Sequence, residues 1–443
     1  MKKTLALTLL LIGYWSSAQE SPASFTLDEA IEWGLKHNRT IKNASIELQK
    51  AHKEKWKTIS IGFPQINANL QYQNFLEQPV SLIPAQFFGG EVGEFAEVTF
   101  GTSQSAMGNV ELSQLLFDGT YVVGLQGIKH YIKTAENVLE KSQLEVKKEI
   151  VNWYTNTLVA KQNIDVLSQN IDVVKNNISE ATLLFENGFT EEETVEQLQL
   201  TLASLNTQIQ YLEKSFELAQ NVMKLLLGID FLSPLKLTNS LEELAALKQL
   251  EPEQQMDLSN NIDIRLAENN LTSEELLYRL EKAKSLPSFS AFINGMYMGN
   301  SNSFTFTEPT QKWFGSSAFG LRVKVPIFSS FGRSASSQKV KLTMMQAKNT
   351  LEETEEKTTL EYSRVRNELE LAQKTVETAR ESLRLAERIE KKNQTKFFEG
   401  LNGSFELRQA QTQLYQAQQY YIQQLKTLII KKTSLEILIN TPQ

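Results

Sequence analysis

The amino-acid sequence contains an internal repeat, and this repeat limits the possible folds more than any other feature. Three residues recur 223 positions later with the same spacing, first as Asn38, Ile41 and Pro64 and then as Asn261, Ile264 and Pro287. Gly188 recurs as Gly400 after 212 positions. Adding 212 to the apolar positions that follow Gly188 gives ten positions, of which eight are again apolar. We therefore interpret the chain as two structural repeats, at 19–228 and 259–443, joined by a connector at 229–258.

Residues 65–73 alternate amide and apolar side chains without exception, in the order Gln-Ile-Asn-Ala-Asn-Leu-Gln-Tyr-Gln. A period of two indicates a β-strand with one polar and one apolar face. Such a strand suits a transmembrane β-barrel, which has lipid outside and water inside. A half-buried antiparallel strand of a soluble protein has the same pattern. This segment alone leaves both interpretations open.

Each repeat contains a second alternating segment, which completes a predicted β-hairpin. In the first repeat, residues 109–113 alternate after a long loop at 76–105 with no clear period, which predicts a hairpin over 65–117. In the second repeat, residues 288–297 and 319–325 alternate on either side of a loop at 298–317. These segments predict a second hairpin over 288–328.

Long segments with apolar residues at spacings of three and four follow each hairpin. They run over residues 118–186 and 331–398 and contain no proline. A heptad pattern of this length predicts coiled-coil-like helices, each roughly 100 Å long. Returning helices follow the turns, so we predict long α-hairpins over 118–228 and 331–440. Residues 26–60 are predicted to be helical, with a break near Asn38.

The N-terminus predicts export. Two lysines, an apolar run at 5–12 and small residues at 16–18 have the order of a secretory signal peptide, so residues 1–18 are excluded from the fold. Their removal takes away two lysines and no acids, which changes the formal net charge from −7 to −9. The chain has no cysteine, so we expect neither disulfides nor a lipid-bearing N-terminal cysteine. The acidic balance argues against nucleic-acid partners.

The strand number predicts an oligomer if these strands form a pore. No later stretch has eighteen consecutive apolar residues, and only helices and closed barrels satisfy their backbone groups in lipid. Four strands cannot close a barrel, because about eight is the smallest number seen and that barrel is filled by its own side chains. At least three chains must therefore contribute. The alternative is a periplasmic structural or adaptor protein built on long α-hairpins.

We predict no enzymatic activity, no cofactor and no metal site. The three histidines, His37, His52 and His130, each lie alone on a predicted helical segment. The sequence has no phosphate-binding loop in a strand–helix context, no metal-ligand spacing and no nucleophile elbow.

On these features the chain resembles the TolC family of outer-membrane efflux channels, over essentially all of the mature sequence. The resemblance rests on the paired Asn-x-x-Ile segments, on residues 116–119 and 326–328, and on the turns at Gly188 and Gly400. It implies an α+β membrane protein, a homotrimer whose chains each give four strands to a twelve-stranded outer-membrane β-barrel. The long α-hairpins would form a periplasmic α-barrel. Arg39 and Ile262 stand where the family often has proline, which leaves the geometry of the helix break open.

The resemblance also implies a function and partners. The protein would be the passive exit duct of a tripartite efflux or type I secretion system, surrounded by outer-membrane lipid. A periplasmic adaptor protein would bind at the hairpin turns of Gly188 and Gly400, for which we predict positive φ angles. An inner-membrane pump would supply the energy.

Further candidate site residues fall in two groups. The resemblance implies a periplasmic tunnel mouth at Glu193, Thr194, Glu406 and Gln409, where the last two match a pair that is acidic in the family. Acids early in a helix also offset its macrodipole, which is a second interpretation of Glu193 and Glu406. The strand alternation predicts a barrel lumen lined by Gln65, Asn67, Asn69, Gln71, Arg322 and Lys324.

Overall fold

The computed structural model describes residues 24–246 and 258–439, so the predicted signal peptide at 1–18 and most of the connector after residue 246 lie outside it. The chain forms two compact units, and each unit contains segments of both repeats. The helical unit takes its described residues from 1–44, 139–261 and 357–443. The sheet unit consists of residues 45–138 and 262–356. The compact units therefore interleave the two sequence repeats.

The two halves of the described chain share one order of elements, apart from the additional strands β3 and β4 in the first half. The first half contains β1 (Ser24–Phe25), α1 (Leu27–His37), α2 (Arg39–Ser60), β2 (Gln65–Asn74), β3 (Val80–Pro84), β4 (Phe95–Thr99), β5 (Gln104–Phe117), α3 (Gly119–Glu186) and α4 (Glu192–Leu227). The second contains β6 (Lys236–Leu237), α5 (Leu241–Ala246), α6 (Ile262–Ala283), β7 (Ser288–Ser301), β8 (Trp313–Lys324), α7 (Gly332–Phe398) and α8 (Ser404–Ile439). The long helices have 68 and 67 residues, and each returning helix has 36. Among the described residues, no helix has the length and apolar character needed to cross a membrane.

The sheet unit contains a four-stranded antiparallel sheet in the order β2-β5-β7-β8. The strand predicted at 65–73 is β2, which extends one residue further. Strands β5, β7 and β8 are longer than the alternation predicts, at 14, 14 and 12 residues. Glycine and serine interrupt the apolar pattern on these strands, which explains why alternation alone underestimates them.

The segment predicted as an unstructured loop at 76–105 contains a second, smaller sheet. Strands β3 and β4 pair antiparallel over five residues each, and a 3₁₀ helix (Ala85–Phe88) lies between them. Most side chains of both strands are exposed. A strand without a buried face has no reason to alternate, so its sequence carries no period-two signal.

The helix break near Asn38 is present without a proline. Asn38 is extended, with φ of −60° and ψ of 134°, and separates α1 from α2. Its Oδ1 accepts a 2.8 Å hydrogen bond from the Thr40 backbone N–H, which caps α2. The asparagine side chain therefore provides the break, and Arg39 in place of proline does not prevent it.

The core of the helical unit lies where α1, α3, α4 and α8 meet the short parallel pair β1–β6, which the sequence did not predict. Tyr154 on α3 is fully buried, and its hydroxyl lies 3.0 Å from the Phe25 carbonyl, to which it donates. Burial raises the pKa of this phenol. Along α7, which corresponds to the heptad segment predicted at 331–398, the apolar residues Val365, Val376 and Ala379 are buried.

Candidate functional site

The register of the four-stranded sheet brings the predicted lumen residues of the two hairpins onto one face. Residues directly opposite each other on neighbouring strands point to the same side. Asn67 lies opposite Glu111, which lies opposite Asn294 on β7. Arg322 on β8 shares this face, because its guanidinium lies 3.8 Å from the Glu111 carboxylate and 5.0 Å from the Phe292 ring centroid.

The polarity of this face changes across the sheet. On β2 all four predicted residues, Gln65, Asn67, Asn69 and Gln71, are exposed. Lys324 is exposed at the end of β8, opposite Ser288. Methionine and phenylalanine residues occupy much of the same face on β5, β7 and β8, at Met107, Met296, Met298, Phe292 and Phe314. The amide side chains of β2 therefore cover only one edge of this face and do not extend over the whole of it.

The opposite face is apolar and exposed. Leu70 on β2 and Phe319 on β8 are 86% and 87% exposed, and Leu321 is 74% exposed. Aromatic residues lie towards both ends of the strands, with Tyr72 and Trp313 at one end and Phe289 at the other. An apolar band between aromatic residues is the pattern of a lipid-facing barrel wall. A soluble monomer rarely exposes an apolar patch of this extent.

The two outer strands, β2 and β8, pair with one strand each in the part of the chain that the structure describes. Their outer edges are 10 and 12 residues long. Long flat edges with apolar side chains are templates for pairing with another strand.

The two hairpin turns have identical hydrogen bonding. Gly188 has φ of 78° and Gly400 has φ of 71°, so the predicted left-handed conformation is present at both. In the first turn the Phe189 N–H donates to the Leu184 carbonyl and the Gly188 N–H donates to the Phe185 carbonyl. In the second turn, Leu401 and Gly400 donate to the carbonyls of Lys396 and Phe397. Both are Schellman motifs, which satisfy the last carbonyls of a helix.

The predicted tunnel-mouth residues lie on the first two turns of the returning helices. Glu193 and Glu406 are exposed, in the first turns of α4 and α8. Thr194 is half-buried, and its hydroxyl lies 3.2 Å from that of Thr190. Gln409 is exposed one turn further along α8. Their position in the first turn is also the one in which acids offset a helix macrodipole.

The ends of the two α-hairpins contact each other through a small apolar cluster. Ala181 and Leu198 of the first hairpin pack with Leu407 of the second, and all three are fully buried. Gln197 lies at the polar edge of this contact. It accepts from Ser404 at 3.5 Å, the limit of a hydrogen bond, and donates to Glu193 at 2.6 Å. The structure therefore links the two turns of one chain.

Two polar contacts join the returning helix α8 to the long helices α7 and α3, and the apolar periodicity does not predict them. Lys431 on α8 lies 2.7 Å from Glu368 on α7, and this hydrogen bond lowers the pKa of the Glu368 carboxyl. Asn170 on α3 donates to Gln418 on α8 at 3.3 Å. One heptad along α3, Asn177 is buried, and neither of its side-chain polar atoms has a hydrogen-bond partner among the described residues. A polar residue at a core position is the signal that identifies such contacts in a heptad pattern.

Comparison with known proteins agrees with this geometry. Residues 254–441 match the family model described as outer membrane efflux protein. This match confirms the predicted resemblance, and it does so on the second of the two repeats. No curated protein sequence matched the chain.

Solved structures extend the likeness to nearly the whole chain. The outer membrane protein VceC of Vibrio cholerae superimposes with a TM-score of 0.71 at 14% identity, covering 93% of this chain and 95% of that one. The CmeC outer membrane channel of Campylobacter jejuni gives 0.73 at 18% identity, covering 93% and 85%. CusC, whose structures concern transmembrane channel formation, gives 0.75 at 16% identity, covering 93% and 91%. These likenesses confirm the predicted α+β fold class.

Proposed function

We propose that three copies of this chain form the outer-membrane exit duct of a tripartite efflux system. The observation that carries the proposal is the four-stranded sheet, which has an exposed apolar face and a polar face at β2. Within the described residues, its outer strands β2 and β8 are each paired on one side only. Each unsatisfied backbone group in lipid costs several kcal/mol. Strands β2 and β8 can therefore enter a bilayer only when each pairs with the neighbouring copy.

The alternative of a soluble periplasmic structural or adaptor protein does not account for this sheet. Such a protein needs one buried sheet face, whereas the apolar face here carries Leu70, Phe319 and Leu321 in exposed positions. The family match of the second repeat supports the outer membrane as the location. In the duct, the polar face of β2, with Arg322 and Lys324, lines the lumen.

The hairpin turns are the proposed binding surface for a periplasmic adaptor protein. The residue after each turn glycine is large, apolar and exposed, 80% for Phe189 and 69% for Leu401. These residues occupy equivalent positions in the two Schellman motifs. Paired apolar anchors surrounded by acids suit a partner with an apolar groove and a basic rim. We propose that an inner-membrane pump supplies the energy.

Cysteine cross-linking tests the closure of the sheet, because the chain has no native cysteine. Ala68→Cys on the outer strand β2 is combined in turn with Gly315→Cys, Ser317→Cys and Phe319→Cys on β8. We expect at least one combination to give covalent dimers and trimers on non-reducing gels of outer membranes. Val110→Cys, opposite Ala68 but on the inner strand β5, is the matched control and should give none. Recovery of the wild type as a soluble monomer would contradict the duct.

Site-specific photo-cross-linking tests the docking surface separately. A photoreactive residue replaces Phe189 or Leu401 in the trimer in cells, and Tyr211, which is 72% exposed along α4, is the control position. We expect an adduct with a periplasmic protein from the two turn positions only. Equal adducts from all three positions would remove the turns as the docking site.

A further inference from the structure

A groove crosses the apolar face of the sheet near its β7–β8 loop. Two neighbouring rows of the sheet form it. In the first row Leu70, Gly108 and Tyr297 lie opposite one another on β2, β5 and β7. In the second row Tyr72 lies opposite Ala106. Small residues on β5 thus form a floor between large residues on either side.

The groove has defined walls and ends. The second row continues from Ala106 through Gly299 on β7 to Trp313 on β8. Trp313 therefore forms the wall on the β8 side. Phe306 of the β7–β8 loop closes one end, with its ring centroid 5.8 Å from that of Tyr72 and 6.1 Å from that of Trp313. At the other end the groove stops at Val110, the next residue of β5 on this face, because valine has a larger side chain than Gly108 or Ala106.

The glycine at the floor is what keeps the groove open. A Cβ at Gly108 would lie 3.2 Å from the Leu70 Cδ2 atom, so any side chain there occupies space between the walls. The resulting cavity has a volume of about 670 Å³. Cavities that hold small ligands have about 300 to 1,000 Å³. From Ala106 to Val110 the floor runs along β5 for roughly 14 Å at about 3.4 Å per residue.

We infer that this groove binds one acyl chain of a membrane lipid. The inference rests on the proposed function, because it needs this face to lie in the bilayer. The groove is continuous with the exposed apolar band of Leu70 and Phe319. When this face lies in the bilayer, lipid acyl chains therefore surround the groove. A peptide strand does not suit it, because the backbone groups of β5 are already paired with β2 and β7. An extended hydrocarbon has no polar groups to satisfy and fills a narrow apolar channel.

The polar atoms at the rim favour a lipid chain whose head group lies at the aromatic end. The Tyr72 hydroxyl lies 3.2 Å from Gln104 Oε1, and the Trp313 indole is at the same end of the groove. Tyrosine and tryptophan with an apolar body and a polar tip are typical of the membrane–water interface. The chain therefore enters from this end and runs along β5 towards Val110.

Native mass spectrometry of the purified trimer tests the inference. Dipalmitoyl phosphatidylethanolamine is titrated into delipidated protein in a short-chain detergent, and bound lipid is counted. We expect up to one retained lipid per protomer in the wild type. Gly108→Val fills the floor and should lower occupancy about tenfold, which corresponds to about 1.4 kcal/mol. Gly295→Val is the matched control, because Gly295 is on the same face and a Cβ there meets nothing within 4 Å; it should bind as the wild type does.

A second pair of variants keeps the test decisive if Gly108→Val does not assemble. Tyr297→Ala removes a wall of the groove, whereas Phe319→Ala removes an exposed ring of the same face outside it. We expect loss of retained lipid only in Tyr297→Ala. Palmitate should compete for the site, and glycerophosphoethanolamine, the head group without chains, should not. Equal retention in both members of either pair, or competition by the head group alone, would overturn the inference.

The same spectra separate this inference from the proposed function. If the proposed duct is wrong, the wild-type protein will be detected as a monomer or without its trimer. Failure of the groove is seen as an intact trimer whose lipid occupancy does not respond to Gly108→Val or to Tyr297→Ala.

Discussion

Asn38 and Leu226 are joined by a 2.8 Å hydrogen bond from the side-chain amide Nδ2 to the backbone carbonyl. The second repeat contains the equivalent bond, from Asn261 Nδ2 to the Leu438 carbonyl, also at 2.8 Å. Both asparagines are buried, at 5% and 2% exposure. Each carbonyl belongs to the last turn of a returning helix, where no intrahelical donor remains. The internal duplication therefore extends to a single hydrogen bond.

Asn38→Ala should destabilise the helical unit by about 1 to 3 kcal/mol, because it leaves the Leu226 carbonyl buried without its donor and removes the Oδ1 cap of α2. The denaturant midpoint of the purified trimer measures the change. Asn43→Ala on the exposed face of α2 is the control, and should change stability by no more than about 0.5 kcal/mol. An equal effect of both variants would mean that the Asn38 bond contributes nothing.

Gly188→Ala should destabilise by about 1 to 2 kcal/mol, because L-residues are disfavoured at positive φ. A Cβ at Gly188 meets no atom within 4 Å, so the backbone conformation is the only cause. Gly127→Ala should instead stabilise the protein. Gly127 lies inside α3, also with free space around it, and alanine is preferred there by about 0.5 to 1 kcal/mol. Thermal unfolding of both variants tests this difference in sign.

Asn177→Leu should stabilise the trimer by about 1 to 3 kcal/mol, because it removes a buried amide whose polar atoms have no partner in the described residues. Asn170→Leu is the contrasting variant. It deletes the donor to Gln418 and should give a smaller gain or a loss. Urea unfolding of both variants tests the difference. Destabilisation by Asn177→Leu would indicate that ordered water satisfies the amide.

Glu390→Gln should change how stability depends on pH. Burial raises the pKa of the half-buried Glu390 carboxyl above its ordinary value of 4.5, so the folded state holds this proton more tightly than the unfolded state does. The stabilisation that the Glu390 carboxyl contributes to the folded state is fully present below pH 4.5. It is lost as the pH rises through the pKa of the folded state. The variant should therefore reduce the loss of stability above pH 4.5. Unfolding midpoints at several pH values measure it, with Glu387→Gln as the control for net charge; identical slopes in all three proteins would contradict the expectation.

Glu406→Gln should reduce the preference for cations in planar lipid bilayers if Glu406 lines the tunnel mouth, because acids repeated in three copies hold cations. Gln409→Glu should increase that preference, since it restores a second acid on the same helix face. Glu399→Gln, an exposed acid of the turn, is the control. Unchanged selectivity in Glu406→Gln would leave this residue with its helix-dipole role alone.

The sequence predicts the elements of this fold well, because each has a strong period or a specific turn residue. Strand β2 follows from its strict alternation, and α3 and α7 follow from their heptads. The turns follow from Gly188 and Gly400, whose positive φ angles are a property of glycine. Strands β3 and β4 have no such signal, because most of their side chains are exposed.

The candidate sites could be predicted only in part from the sequence. Alternation on β2 predicts one polar face, but the mixed character of that face on β7 depends on which residues lie opposite each other. The acids near the turns have two interpretations with the same spacing, so the sequence cannot separate a tunnel mouth from a helix start.

The sequence by itself determined the duplication, the order of elements and the two helix turns, because these depend on local periodicity and on the conformational limits of single residues. Only the tertiary structure decided the pairing of β5 with β7, the contact between the two hairpin ends and the groove over Gly108. These features depend on register between segments separated by about 200 residues, and no local energy term in the chain encodes that register.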